Sequence, residues 1–211
     1  MKSEEKEISY TTTNSYSTLN KLTTTTKNVW FVCHGMGYLS RYFIKYFEDL
    51  DPQENYIIAP QAQSKYYLPP KFKHVGSSWL TKENTLRETE NVMRNFDAIV
   101  EKEQIPEDRN LIMFGYSQGV SVIMRYIAKR QLKCNQLVLH SGGIPKELVK
   151  GDFEFFDAEV TLIYGTEDEY LDNSRINYEK ERATELFGNQ INIVPFEGKH
   201  VVNTRLINSL V

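Results

Sequence analysis

Cysteine is scarce in this chain: Cys33 and Cys134 are the two in 211 residues. Each sits inside an apolar run and neither has a second ligand at metal-type spacing, so no metal site and no disulfide framework is expected. Both read as buried, reduced core residues of a cytoplasmic protein. Positive charge is not in excess either. With 25 Lys and Arg against 28 Asp and Glu, the formal charge is −3 and the pI about 5.9. The lysines are scattered among glutamates without a basic stripe, which offers nothing to attract nucleic acid or an anionic membrane. No run of about 18 apolar residues occurs, so no membrane span is expected. The opening MKSEEKEISY is charged and polar, unlike a secretory signal. GMGYLS, from Gly35, lacks the third glycine of a dinucleotide fingerprint, and no cofactor of any kind is expected. Repeats, linkers and shifts in composition are missing too, and the length suits one domain over residues 1–211.

What remains is a regular alternation. Short apolar runs stand at 29–34 (VWFVCH), 56–59 (YIIA), 111–114 (LIMF), 136–140 (QLVLH), 160–164 (VTLIY) and 191–196 (INIVPF). Continuous runs of this length fit strands covered on both faces, as in parallel sheets. Between them lie helical spacings. Leu86, Thr89, Met93, Phe96 and Val100 share one face. So do Tyr42, Phe43, Tyr46, Phe47 and Leu50, then Ile123, Ile127 and Ala128, then Ala183, Leu186 and Phe187. Alternating strands and helices predict a mostly parallel sheet with helices on both faces, an α/β fold in a single domain. Threonine clusters at 11–13 and 23–26 suit exposed strands. Residues 4–24 are therefore expected to form an antiparallel hairpin turning near Asn14 and Ser15, inside an N-terminal segment 1–28 of the same domain.

Ligands of such sheets bind outside the carboxyl ends of the strands. Those ends read CHGMGYLS, PQAQSKYYLPP, GYSQG, HSGGIP, YGTEDEYLD and EGKHVV. A serine, several acids and a histidine thus stand at separate strand ends, in the order Ser, Asp/Glu, His. Ser117 sits between Gly115 and Gly119 after an apolar strand and before a helical pattern, as a nucleophile on a tight strand-to-helix turn would. Taken alone, such a serine can equally be a turn residue; the ordered acid and histidine favour the nucleophile. His200 precedes a terminal amphipathic segment, from where an imidazole can reach Ser117. The N–H of Gln118, at the start of a helix, can donate to a developing oxyanion, and the N–H of Met36 in HGMG is the expected second donor. His34 reads as a brace for that loop, and His74 and His140 as non-catalytic. The acid loop offers Glu167, Asp168, Glu169 and Asp172. An aspartate in the turn after the strand would hold the histidine more rigidly than a glutamate, while Asp172 suits a helix cap.

In this order, HGMG, GYSQG, YGTEDEYL and GKH resemble the carboxylesterase/phospholipase branch of the α/β-hydrolases, the branch that holds acyl-protein thioesterases. The similarity runs over residues 29–211 and includes SSWL and RNLIMFGYSQGVSVIMRY. It implies the α/β-hydrolase fold, a Ser-His-Asp mechanism, a metal-free site, no large lid domain and hydrolysis of carboxylic esters or thioesters. It also aligns the family's aspartate with Asp168. Val120 stands where the thioesterase-like pattern has a further glycine, GYLS replaces its polar and glycine residues, and GKH replaces a glycine pair before the histidine. Protein deacylation does not follow from the resemblance.

The expectation is a serine hydrolase with Ser117 as nucleophile, His200 as base and then acid, Asp168 as its orienting partner, and Met36 and Gln118 as oxyanion donors. Tyr66, Tyr67, Trp79, Tyr170 and Leu171 are the expected substrate-binding residues, with a small ester or thioester as the partner. Trp79 and Leu80 serve equally well as packing between the long helix and the sheet. An acyltransferase or perhydrolase on the same triad, or a binding protein on a hydrolase scaffold, are the rival classes. Substrate and oligomeric state are not legible.

Overall fold

The computed structural model describes residues 3–188 and 191–211. Seven strands form one sheet in the order β1-β3-β2-β6-β7-β8-β9. These are β1 (Tyr16–Leu19), β2 (Asn28–Cys33), β3 (Asn55–Pro60), β6 (Asn110–Tyr116), β7 (Gln136–His140), β8 (Glu159–Gly165) and β9 (Ile191–Phe196). All neighbours pair in parallel except β1, which runs antiparallel to β3. A separate antiparallel pair, β4 (Ser64–Tyr67) with β5 (Val75–Ser78), stands after β3.

The apolar runs of β2, β3 and β6 to β8 are continuous because both of their faces are covered. The run 191–196, expected to be covered in the same way, is instead the edge strand β9, with no buried residue. Along β2, Val29, Phe31 and Cys33 enter one core while Trp30 and Val32 enter the other. The first core is closed by α2 (Thr85–Glu103), α3 (Gln118–Arg130) and α4 (Asn173–Phe187). The second lies under α1 (Ser40–Phe43), the 3-10 turn Ile44–Phe47 that continues it, and α5 (Thr204–Asn208). Each large side chain hidden this way contributes about 1.5–3 kcal/mol of transfer free energy, which is what holds the helices to the sheet. The stripe that α2 buries is Thr89, Val92, Met93, Phe96 and Ile99. It is turned from the expected face toward Val92 and Ile99, leaving Leu86 in solvent at its edge.

The N-terminal hairpin takes a different form from the expected one. Residues 3–15 carry no strand, and β1 finds its antiparallel partner in β3, with Tyr16 opposite Pro60 and Leu19 opposite Ile57. Two tyrosines fix that edge to α2: the hydroxyl of Tyr56 donates to Glu103 at 2.6 Å and that of Tyr16 to the same carboxylate at 2.5 Å. The outer strand is therefore a cover for the sheet edge supplied by the chain's own N-terminal part.

From β2 the chain goes outward to β3, then returns to the other side of β2 for β6. The order reverses between β2 and β6, and a crevice at their carboxyl ends follows from that reversal. Gly35 to Tyr38 leave β2 there, and Ser117 leaves β6.

Candidate active site

Ser117 joins β6 to α3 with φ 53° and ψ −118°, a backbone that L-residues adopt at a cost of about 1–3 kcal/mol. The surroundings hold it there. Its N–H donates to the His140 carbonyl at 2.8 Å, and its own carbonyl accepts from Val120 at 3.1 Å. The flanking glycines make the turn possible. A β-carbon at Gly115 would lie 2.6 Å from the Val120 nitrogen, and one at Gly119 would lie 2.0 Å from the Cys33 carbonyl oxygen. Because the second clash is with the backbone of β2, Gly119→Ala must push α3 off the sheet. It is expected to lower the thermal midpoint by about 6–12 °C, from a loss of about 3 kcal/mol. Gly151→Ala, where nothing lies within 4 Å, should move it by less than about 2 °C. Equal midpoints for the two variants in a calorimetric scan would contradict this close approach.

His200 reaches the serine. Its Nε2 lies 3.0 Å from Ser117 Oγ, and its Nδ1 lies 2.7 Å from Asp168 Oδ2. A carboxylate only accepts, so the proton sits on Nδ1, and the Nε2 lone pair faces the hydroxyl. Asp168 is buried, and its other oxygen accepts the N–H groups of Tyr170 at 2.8 Å and Leu171 at 3.1 Å. The other acids of the loop go elsewhere. Glu167 and Glu169 are exposed, and Asp172 caps α4 by accepting from the N–H of Arg175 at 2.9 Å. The histidine loop is pinned by Tyr116, whose hydroxyl donates to the His200 carbonyl at 3.0 Å. His140 lies beneath, and its Nε2 accepts the N–H of Asn203 at 3.1 Å. Burial pushes the His140 pKa down to about 3, so it stays a neutral acceptor.

The loop after β2 is built with equal care. His34 is fully buried, with Nδ1 2.8 Å from the Gly35 carbonyl and Nε2 accepting from Ala62 at 3.2 Å. Burial lowers its pKa to about 4. The N–H of Gly37 donates to Ser77 of β5 at 2.8 Å, and the Ser77 hydroxyl donates to the Tyr38 carbonyl at 2.7 Å. These bonds leave the N–H groups of Met36 and Gln118 without a partner among the described residues. Gln118 is the first residue of α3, so its N–H is one of the free amides of a helix start.

The expected substrate-binding residues separate into two groups. Tyr170 and Leu171 line a cleft of about 260 Å³ that runs from Ser117 and His200 past Ser141–Gly143 to Arg175. Trp79 does not: it is 1% exposed, its ring tilted against His34 at 4.7 Å and edge-on to Phe96 at 5.4 Å. Its indole N–H donates to the His34 carbonyl at 2.7 Å, so it joins α2 to the sheet under the loop. Tyr66 and Tyr67 stand on β4, outside the lining of that cleft. A β-carbon at Gly37 would be 3.9 Å from the Tyr66 hydroxyl, which sets this tyrosine beside the loop after β2.

Several contributors were not foreseen from the sequence. The Gln118 side chain accepts from the N–H of Trp79 at 2.8 Å and donates to the Leu80 carbonyl at 2.7 Å. SSWL is thereby tied to the residue after the serine. Arg175 and its buried partner Glu179 were missed as well. Among the described residues no group of three or more His, Cys, Asp or Glu is placed to hold a metal, and no helix is long and apolar enough to cross a membrane.

Comparison with known proteins agrees with the architecture. No curated protein matches the chain. Among solved structures, esterase PE8 is similar at 20% identity and TM-score 0.68, over 94% of this chain and 98% of that one. Zea mays acyl-protein thioesterase 2 is similar at 13% identity and TM-score 0.70, over 94% and 96%. A phospholipase/carboxylesterase from Dyadobacter fermentans is similar at 20% identity and TM-score 0.67, over 95% and 97%. At these identities the likeness is one of fold. The sequence profile of the phospholipase/carboxylesterase family, by contrast, matches residues 15–210. The chain belongs to the phospholipase/carboxylesterase family of α/β-hydrolases, a family of ester hydrolases.

Proposed function

We propose that the protein is a serine esterase that hydrolyses small carboxylic esters or thioesters through an acyl-enzyme. The observation that carries this reading is the unbroken relay from Asp168 through His200 to Ser117, at 2.7 and 3.0 Å, ending on a serine held in a turn with positive φ. Ser117 Oγ attacks the carbonyl carbon while Nε2 of His200 takes its proton. Asp168 stabilises the imidazolium and keeps its orientation. The oxygen that gains charge is received by the N–H groups of Met36 and Gln118, each such donor being worth about 10²–10³ in kcat. Collapse of the tetrahedral intermediate breaks the bond to the alcohol or thiol, which leaves with the proton from His200. Water then attacks the acyl group, His200 takes its proton, and the acid departs as Ser117 is restored. The chemistry uses side chains, backbone N–H groups and water.

The cleft sets the scale of substrate. At about 260 Å³ it falls below the roughly 300–1,000 Å³ that drug-sized ligands occupy. Phenyl acetate and p-nitrophenyl butyrate should therefore be turned over with a kcat/KM at least about a hundredfold above that of an emulsified long-chain triglyceride. Rates measured side by side in a pH-stat decide this; a preference for the emulsion would overturn the small-ester reading.

A further inference from the structure

Arg175 lies on the first turn of α4 and lines the same cleft as Ser117. Its backbone and side chain are fixed by separate partners. Asp172 accepts its N–H, and the Nε–H group donates to Oε1 of Glu179, one turn further along, at 2.5 Å. Glu179 is fully buried, and its second oxygen accepts the N–H of Ile144 at 2.8 Å. The guanidinium lies against the loop after β7, where a β-carbon at Gly143 would be 2.5 Å from Nη2. A side chain at this position would make the guanidinium shift.

A guanidinium has five N–H donors in a fixed fork. Here the Nε–H faces inward to Glu179, while the Nη1 and Nη2 groups have no hydrogen-bond partner among the described residues. Glu179 compensates the charge from the buried side, and Oδ1 of Asp172 accepts the Ser174 hydroxyl and the Arg175 N–H rather than the guanidinium. What remains is a pair of Nη donors on a side chain that lines the cleft, of the shape that takes a carboxylate in two parallel hydrogen bonds. Ser121, Ser141, Gly142 and Gly143 line the same cleft, together with Tyr170 and Leu171, and among the described residues no second Lys or Arg lines it. An ion pair made only to compensate Glu179 would not need Arg175 to line the cleft with an unpaired Nη edge.

We propose that the physiological substrate is a small ester bearing a carboxylate on its acyl or alcohol part, and that the Nη edge of Arg175 binds that carboxylate. This rests on the esterase reading of the Ser117 site and narrows it to a substrate class. Arg175 is then the residue that selects the substrate, acting on KM more than on kcat.

Two matched pairs of esters test it at pH 7.5 and low salt: p-nitrophenyl hemisuccinate against p-nitrophenyl butyrate, and 4-acetoxybenzoate against phenyl acetate. Arg175 selects for charge if at least one anionic ester exceeds its neutral counterpart about tenfold or more in kcat/KM, through a lower KM. That preference should shrink several-fold in 0.5 M NaCl, because the guanidinium is partly exposed and salt screens it. It should be lost in the Arg175→Met/Glu179→Gln double variant, which leaves no buried charge unpaired, and partly kept in Arg175→Lys. A wild-type enzyme that hydrolyses neutral and anionic esters of both pairs equally well overturns the proposal, and this arm needs no variant to fold. A double variant with the wild-type preference overturns it as well. If none of the four esters is hydrolysed and a fluorophosphonate leaves Ser117 unmodified, the esterase reading falls and takes the proposal with it.

Discussion

Ser117→Ala is expected to lower kcat for p-nitrophenyl butyrate by at least about 10⁴, in a protein that melts within about 6 °C of the wild type. The first figure follows from losing the nucleophile of a relay whose members act as a unit; single losses of this kind cost up to about 10⁶. The second follows from what the hydroxyl contributes to the fold, a single hydrogen bond to His200 worth about 0.5–1.5 kcal/mol. Two other serines line the same cleft and serve as controls. Ser121 bonds to Arg125, and the Ser141 hydroxyl lies 3.0 Å from His140 Nδ1. Ser121→Ala and Ser141→Ala should each cost less than about tenfold. Initial rates of the purified variants check all three, and a Ser117→Ala protein within tenfold of wild type would remove Ser117 from its role.

The second large effect concerns the acid. Asp168→Asn should lower kcat by about 10³–10⁴ with little change in the fold. The amide oxygen can go on accepting from Tyr170 and Leu171, which directs the NH₂ group at His200 Nδ1. Nδ1 must then offer a lone pair, so the ring proton moves to Nε2 and faces Ser117 as an N–H that takes up no proton. Glu167 and Glu169 are exposed, and neither hydrogen-bonds the histidine ring, whose Nδ1 partner is Asp168. Glu167→Gln and Glu169→Gln should cost less than about tenfold each. A crippled Glu169→Gln beside a near-normal Asp168→Asn, in steady-state assays at pH 7.5, would move the acid one residue along the loop.

How much of this was legible depended on whether the signal was local. β2, β3 and β6 to β8 stood out as apolar runs because both of their faces are largely buried, whereas β9 reads the same way in sequence yet is an edge strand with no buried residue. The residues at the strands' carboxyl ends could be read straight off as a constellation. The pairing of β1 was not legible. Its period-2 pattern announces an exposed strand, but the partner, β3, lies some forty residues on and leaves no mark on that pattern. The β4–β5 pair was hidden because all four residues of β4 are exposed, so no hydrophobic pattern marks it. Trp79 was ambiguous for a different reason: a tryptophan before a helix can line a groove or pack the helix, and only the distances to His34 and Phe96 decide. Arg175 and Glu179 are spaced as an ordinary surface ion pair on a helix. Nothing in the spacing says that Glu179 is wholly buried or that the guanidinium lies against Gly143 in the cleft.

The central claim is that Ser117 is an activated nucleophile, and mass spectrometry of the protein treated with a fluorophosphonate tests it most directly. The account predicts one phosphonyl adduct per chain, located on the peptide that carries Ser117, formed by the wild type and not by Ser117→Ala. It also predicts that His200→Ala, which keeps the hydroxyl but loses its base, labels at least about a hundredfold more slowly. An adduct on any other residue at full stoichiometry, or none on the folded wild-type chain, would contradict it.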